Sequence, residues 1–262
     1  MTAAPAEIPR VNVLGVGVSA IDIPTALAAI DGWVAAREPH YVCVTGVHGV
    51  MESQRDANLR SIHNRAGLVT PDGMPLVWLG WLHGLRQMDR VYGPDLMLAC
   101  CEHSALMGYR HFFYGGAEGV AELLVARLQS RFPKLSVVGT YTPPFRPLSP
   151  EEEDDVTRRI DDAEPDIIWV GLSTPKQERW MASHVGRVHA PVMIGVGAAF
   201  DFHAGLKPQA PHWMQRGGLE WFFRLATEPR RLWHRYLVNN PAFLWHVGRQ
   251  LLRIERYEFT LE

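Results

Sequence analysis

Asn64-Arg65-Ala66-Gly67-Leu68-Val69-Thr70-Pro71-Asp72-Gly73-Met74-Pro75 is the stretch that decides how this 262-residue chain folds. The apolar run Gly67 to Thr70 reads as a short buried strand. It ends in Pro-Asp-Gly, in which Pro presets φ, Asp can bond its own backbone and Gly tolerates positive φ. Met74 to Leu82 then reads as a mostly apolar helix. Asp72 therefore stands at the carboxyl end of a strand and just before a helix, where ligands bind in open α/β sheets. Taken alone, the stretch is better served by an Asp72 that only shapes the turn or caps the helix.

Working outward, the same alternation recurs. Val11 to Val18, with Gly15 and Gly17, reads as a first strand, followed by a helix over Ile23 to Ala36 that carries Pro24 in its first turn. Tyr41 to Thr45 is a second strand, and Val50 to Asn64 the helix after it. Thr45 and His48 fall between the two, placed for a hydroxyl or phosphate contact or simply for capping. Beyond Asp72, Arg90 precedes Gly93-Pro94 and a core-like helix from Leu96 to Met107. From that place a guanidinium can face a phosphate. Arg110 to Tyr114 is a strand ending in Gly115-Gly116, which allows close approach of a ligand to the backbone. The helix Val120 to Arg131 and a strand at Ser136 to Gly139 follow. Thr142 to Pro150 is a Pro-rich loop, and Ser149-Pro150-Glu151-Glu152 opens a helix with a capping box. Asp166 to Leu172 reads as a buried strand that leads to Lys176, Gln177 and Glu178 at the mouth of the next helix. Pro191 to Val196 is a further strand, followed by Gly197 and Asp201.

Strand and helix alternate throughout, which predicts an α/β chain: a Rossmann-like parallel sheet with helices on both faces. Right-handed crossovers bring the strand ends to one edge. One site built from Thr45, Asp72, Gly115, Lys176 to Glu178 and Asp201 is more economical than five unrelated caps. Gly15 and Gly17 resemble the start of a dinucleotide fingerprint, but the third glycine is missing and Thr45 stands where an acid is needed. Asp201 and His203 lack a third metal ligand at a recognisable spacing.

Composition narrows the class. The formal charge of −2 does not suggest nucleic acid. From Leu206 to Glu262 nine Lys or Arg face five acids, a +4 segment on a −6 body. That segment is rich in Trp and Phe, so the predicted organisation is a catalytic body over 1–205 and a basic helical appendage over 206–262 that meets an anionic membrane surface. Cys43, Cys100 and Cys101 show no metal spacing and read as reduced packing residues. Met1 to Arg10 lacks the basic-then-apolar pattern of a signal peptide, and no apolar run reaches the ~20 residues of a membrane span. Together these readings place the protein in the cytoplasm, peripheral on the inner face of the membrane.

The motifs as a set resemble the WecG/TagA/CpsF glycosyltransferases, glycosyltransferase family 26, over about Val11 to Leu252. They stand here as Thr70-Pro71-Asp72-Gly73, Arg90-Val91-Tyr92-Gly93-Pro94-Asp95-Leu96, Tyr114-Gly115-Gly116, Gly171 to Glu178, Gly195 to Phe202, and Gly218-Leu219-Glu220-Trp221 through Glu228-Pro229-Arg230-Arg231. The resemblance implies inverting transfer of a sugar, often N-acetylmannosamine or its uronate, from a UDP donor to a polyprenyl-pyrophosphate-linked glycan. It implies no cofactor, and family members are often homo-oligomers. Many members carry Thr-Pro-Asn where this chain has Thr45-Gly46-Val47, which leaves His48 as a substitute for the missing amide. The usual Gly-Ala-Pro-Lys-Gln-Glu appears as Ser173 to Glu178.

On this reading Asp72 is the base. The chain has no Asp-x-Asp pair, so no metal is expected and cations must meet the charge of departing UDP, with Arg90 first and Lys176 second. Gln177 and Thr45 orient sugar or phosphate, and Asp201 accepts from the uracil imide. Arg224, Arg230, Arg231 and Arg235 are the appendage arginines expected to reach the acceptor or lipid. A non-catalytic nucleotide-binding protein or a nicotinamide oxidoreductase is the alternative.

Overall fold

The structure, a computed structural model, describes residues 8–259. Residues 1–7, which hold most of the Met1–Arg10 stretch, lie outside the described residues. The chain opens with a correction. Val11 to Val18 is not one strand but an antiparallel hairpin, β1 (Arg10–Val13) and β2 (Val16–Ser19), standing apart from the main sheet. The turn sits at Leu14 and Gly15, with φ 52° and 83°. The apolar run is continuous because both hairpin strands are largely buried, so no polar residue marks the reversal. Gly15 and Gly17 thus lie in a hairpin, not at the strand-to-helix turn a dinucleotide site needs.

After α1 (Ile23–Ala36), capped by the Asp22 carboxylate, come β3 (His40–Thr45), α2 (Val47–Arg55), α3 (Ala57–Arg65) and β4 (Leu68–Pro71). The single helix expected over Val50 to Asn64 is two. The chain turns extended at Asp56, whose side chain accepts from the Leu59 N–H and starts α3 afresh. Then follow α4 (Met74–Leu82), α5 (Gly93–Met107), β5 (Arg110–Gly115), α6 (Val120–Arg131), β6 (Ser136–Tyr141), α7 (Pro150–Asp162), β7 (Ile167–Gly171), α8 (Lys176–His184), β8 (Val192–Gly195) and α9 (Ala199–His203). The capping box of α7 forms as the sequence predicts.

The main sheet has the order β4-β3-β8-β7-β5-β6 and every pairing is parallel. Apolar side chains from α1, α5, α6 and α9 cover one face, and those from α2, α4, α7 and α8, with the hairpin, cover the other. This is the two-faced parallel sheet the alternation predicts. β5 passes through α6 on one face to reach β6, whereas its neighbour β7 passes through α8 on the opposite face to reach β8. Neighbouring strands whose connections leave in opposite directions open a crevice at their carboxyl ends.

The remaining chain is helical: α10 (His212–Arg216), α11 (Glu220–Thr227) and α12 (Pro229–Leu251). Phe243 and Val247 of α12 bury into the core on the hairpin side. Gln250 ties the helix down: the Leu14 N–H donates to its Oε1 at 3.0 Å and its Nε2 donates to the Asn12 carbonyl at 2.9 Å. No described helix is long and apolar enough to cross a membrane.

Candidate active site

Asp72 leaves β4 on the extended turn and is supported from three sides. Its N–H donates to the Thr45 carbonyl of β3 at 3.0 Å. Its Oδ1 accepts from the Gly93 N–H at the start of α5, also at 3.0 Å, where a helix N-terminus favours negative charge. Its carbonyl accepts from Arg90 Nε at 2.7 Å. Oδ2 makes no hydrogen bond to a described residue and lies beside Gly46, whose added Cβ would sit 3.6 Å away. The carboxylate therefore has one fixed oxygen and one available oxygen.

Arg90 stands beside Asp72 and is held by protein partners. Its guanidinium has Nη1 donating to Gln215 Oε1 at 2.7 Å, Nη2 paired with Glu220, and the plane stacked 3.9 Å from the Tyr92 ring centre. It braces the Asp72 turn against α10 and α11, and one N–H of Nη1 and one of Nη2 are left over at the wall of a cavity. Burial, and then the nearby Asp72 charge, push the Glu220 carboxyl above its ordinary range, while Arg90 opposes this.

Asp72 and Arg90 line a cavity of about 490 Å³ between α2, α4 and the C-terminal helices. His48, Arg224 and Arg235 line it too. Neither Arg224 nor Arg235 makes an ion pair among the described residues, and the Nε of each is buried with no hydrogen-bond partner. Burial pulls the Arg235 pKa below its ordinary value. Two arginines outside any ion pair among the described residues thus face one cavity, whose lining also holds the Asp72 and Glu220 carboxylates. The far wall is apolar, with Trp78, Leu82, Leu244 and Leu251, of which Leu82 is 71% and Leu244 69% exposed. Hydrophobic burial is an incomplete account of such a wall; a groove open to solvent and lined by exposed aliphatic side chains invites a chain to lie in it.

A second cavity, about 530 Å³, occupies the crevice between β5 and β7. Gly116, Lys176, Gly197, Asp201 and Arg231 line it, under the Pro143–Leu148 loop. Gly115 does not line it. With φ 122° it lets β5 pass so close to β7 that a Cβ would fall 2.7 Å from the Gly171 backbone. Lys176 makes no ion pair among the described residues, whereas Arg231 pairs with Glu228 at 2.6 Å and Asp201 with Lys207 at 2.6 Å.

Besides Gly115, three sequence-predicted site residues, Thr45, Gln177 and Arg230, line neither cavity. Thr45 is buried with its hydroxyl donating to the Cys43 carbonyl at 3.3 Å, and Arg230 is exposed elsewhere. Gln177 is buried beneath the crevice: its Nε2 donates to Glu178 at 3.2 Å, and its Oε1, unpartnered, lies 3.2 Å from where a Gly197 Cβ would be. The sequence reading missed Gln215 and Asn239, both of which lie on the first cavity's wall. Glu220 was visible only as part of a motif.

The site thus joins a carboxylate with one open oxygen, two arginines outside any ion pair among the described residues, and a neighbouring glycine-walled crevice at the sheet's switch point. Residues 11–257 match the glycosyl transferase WecG/TagA/CpsF family. The chain belongs to that family. Two similar relatives, from Staphylococcus aureus strains MRSA252 and NCTC 8325 / PS 47, are each 29% identical over 195 residues, covering 74% of this chain and 73% of theirs. Both are N-acetylglucosaminyldiphosphoundecaprenol N-acetyl-beta-D-mannosaminyltransferases. As a WecG/TagA/CpsF member the chain is a glycosyltransferase. The alternatives of a non-catalytic nucleotide-binding protein and a nicotinamide oxidoreductase have no support.

Proposed function

We propose that this protein is an inverting transferase that moves a hexose of the N-acetylmannosamine type from a UDP donor to a polyprenyl-diphosphate-linked sugar during synthesis of a bacterial surface polymer. The observation that carries it is the first cavity: a carboxylate with a free oxygen, two unpaired arginines and an apolar groove, side by side. A polyprenyl-diphosphate sugar offers the complement, namely a hydroxyl, two phosphates and an isoprenoid chain. The relatives' names, which specify an N-acetylglucosaminyl-diphospho-undecaprenol acceptor, point the same way.

The donor is placed in the β5–β7 crevice. Gly116 and Gly197 let the diphosphate approach the backbone, Lys176 and the N-terminus of α8 meet its charge, and the free oxygen of Asp201 accepts from the base. Asp72 Oδ2 takes the proton of the acceptor hydroxyl as that oxygen bonds to the anomeric carbon. The bond to UDP breaks on the opposite face, which inverts the centre. Arg224 and Arg235 hold the acceptor diphosphate. Charge on the leaving group is met by protein cations, so transfer should persist in EDTA; activity lost in EDTA and restored by Mg²⁺ would sink that part. The exposed Trp213, Trp233 and Trp245, with the arginines among them, seat the enzyme on the cytoplasmic face of the membrane.

The deciding experiment offers a panel of UDP-sugars with a polyprenyl-diphosphate N-acetylglucosamine in liposomes. Transfer from one donor, lost in Asp72→Asn while UDP still stabilises the fold, is the expected result. Absence of UDP binding would overturn the assignment.

A further inference from the structure

His48 lines the acceptor cavity from the first turn of α2, and its ring is not free to choose which nitrogen carries the proton. Arg55 Nη2 donates to Asn239 Oδ1 at 2.7 Å. A guanidinium has no lone pair, so the amide of Asn239 must turn its oxygen toward Arg55. Its NH₂ is then left for His48, and Asn239 Nδ2 lies 3.1 Å from His48 Nδ1. An NH₂ group cannot accept, so Nδ1 must be the bare nitrogen and the proton of the neutral ring must sit on Nε2. Glu52 lies 3.8 Å from the same Nδ1, but its carboxylate is engaged by Arg55 at 2.7 Å. Asn239 is buried on α12 while Arg55 and His48 belong to α2, so the C-terminal helix sets the tautomer of a residue in the body.

The ring is kept neutral as well as oriented. Burial first, and then the charges of Arg235, Arg55 and Arg224, push the His48 pKa down to about 3. Nε2 makes no hydrogen bond to a described residue, and His48 lines the cavity that also holds Arg224 and Arg235. We propose that the Arg55–Asn239–His48 chain fixes His48 as a neutral Nε2–H donor, and that this donor binds a diphosphate oxygen of the acceptor between Arg224 and Arg235. The inference rests on reading that cavity as the acceptor site. Two arginines supply charge there; a third cation would add repulsion, whereas a neutral N–H adds a directed bond and no charge.

The test uses the full chain with ¹⁵N-labelled histidine and inorganic pyrophosphate as the probe. Long-range ¹H–¹⁵N spectra at pH 7 should show His48 with Nδ1 unprotonated and Nε2 protonated, the resonances being identified by their loss in His48→Gln. In Asn239→Asp the carboxylate accepts from both neighbours, and Nδ1 should become protonated. Pyrophosphate should move the His48 Nε2 resonance. Its affinity should fall about tenfold in His48→Leu, yet stay within about threefold of wild type in His48→Gln, whose amide N–H reaches the same place. A protonated Nδ1 in the wild type, or pyrophosphate binding unaltered in His48→Leu, would overturn the proposal. Pyrophosphate binding unchanged in an Arg224→Met, Arg235→Met double variant would instead overturn the acceptor-site reading beneath it.

Discussion

Asp72 shows how a single residue acquires a role from its surroundings. One oxygen is spent on the Gly93 N–H and the other is left open, so the side chain is both rigid and available. Replacing it with Asn keeps the shape and removes the proton acceptor; transfer should fall by ~10²–10⁴-fold with UDP affinity unchanged, measured by turnover and by UDP-dependent thermal shift. Arg90 is a separate case. Because its fork binds Asp72, Gln215 and Glu220 together, Arg90→Lys should lower kcat and leave UDP affinity alone if bracing is its part; a collapse of UDP binding would point to the leaving-group role that the sequence suggested. The residue was legible as functional, but its partners were not, since Gln215 and Glu220 lie more than a hundred residues further along the chain. Away from the site, fully buried His111 accepts from Trp169 Nε1 at 2.8 Å, and burial pushes its pKa down to about 3. The unfolded chain holds that proton from about pH 6.5 downward and the folded chain does not, so His111 contributes stability above that pH which is lost as acid is added toward 3. Chemical denaturation at pH 7 and pH 4 should show a fall on the order of 3 kcal/mol from this group, and a flatter profile in His111→Asn, which keeps an acceptor for Trp169.

Among the elements, the strands of the parallel sheet were the easiest to read and the hairpin the hardest. A parallel strand buried on both faces is a short apolar run between turns, and β3, β4, β5, β7 and β8 fit that description. The hairpin β1–β2 presents the same run, because α12 and α3 cover it, and only Gly15 hints at the reversal. Its function is to hold the far end of α12 through Gln250. Gln250→Leu removes two hydrogen bonds and strands two backbone groups, which should cost roughly 1–3 kcal/mol in urea unfolding. Gly115 marks where β5 and β7 nearly touch. Gly115→Ala places a methyl in contact with the Gly171 backbone at an unfavourable φ, so the crevice must widen; UDP affinity and stability should fall together, the latter by about 2 kcal/mol or more.

On the scale of the whole molecule, a parallel sheet sends every strand end to one edge, which is why five scattered motifs pointed to one region. It did not reveal that the region holds two cavities. That division depends on α10 to α12 folding back over α2 and α4, contacts that no local periodicity encodes. The exposed tryptophans of those helices predict attachment to vesicles rich in anionic lipid. Trp233→Glu with Trp245→Glu should abolish co-sedimentation without changing UDP binding; sedimentation at wild-type level would reject the membrane-facing assignment. Lastly, Arg224 and Arg235 stand in one cavity outside any ion pair among the described residues, opposed there by the Asp72 and Glu220 carboxylates on its wall, so the protein retains hydrogen-bonding capacity for a further anion. Multivalent anions of any origin should raise its melting temperature with their concentration, and preparations kept in phosphate or sulfate should outlast those kept in chloride at equal ionic strength.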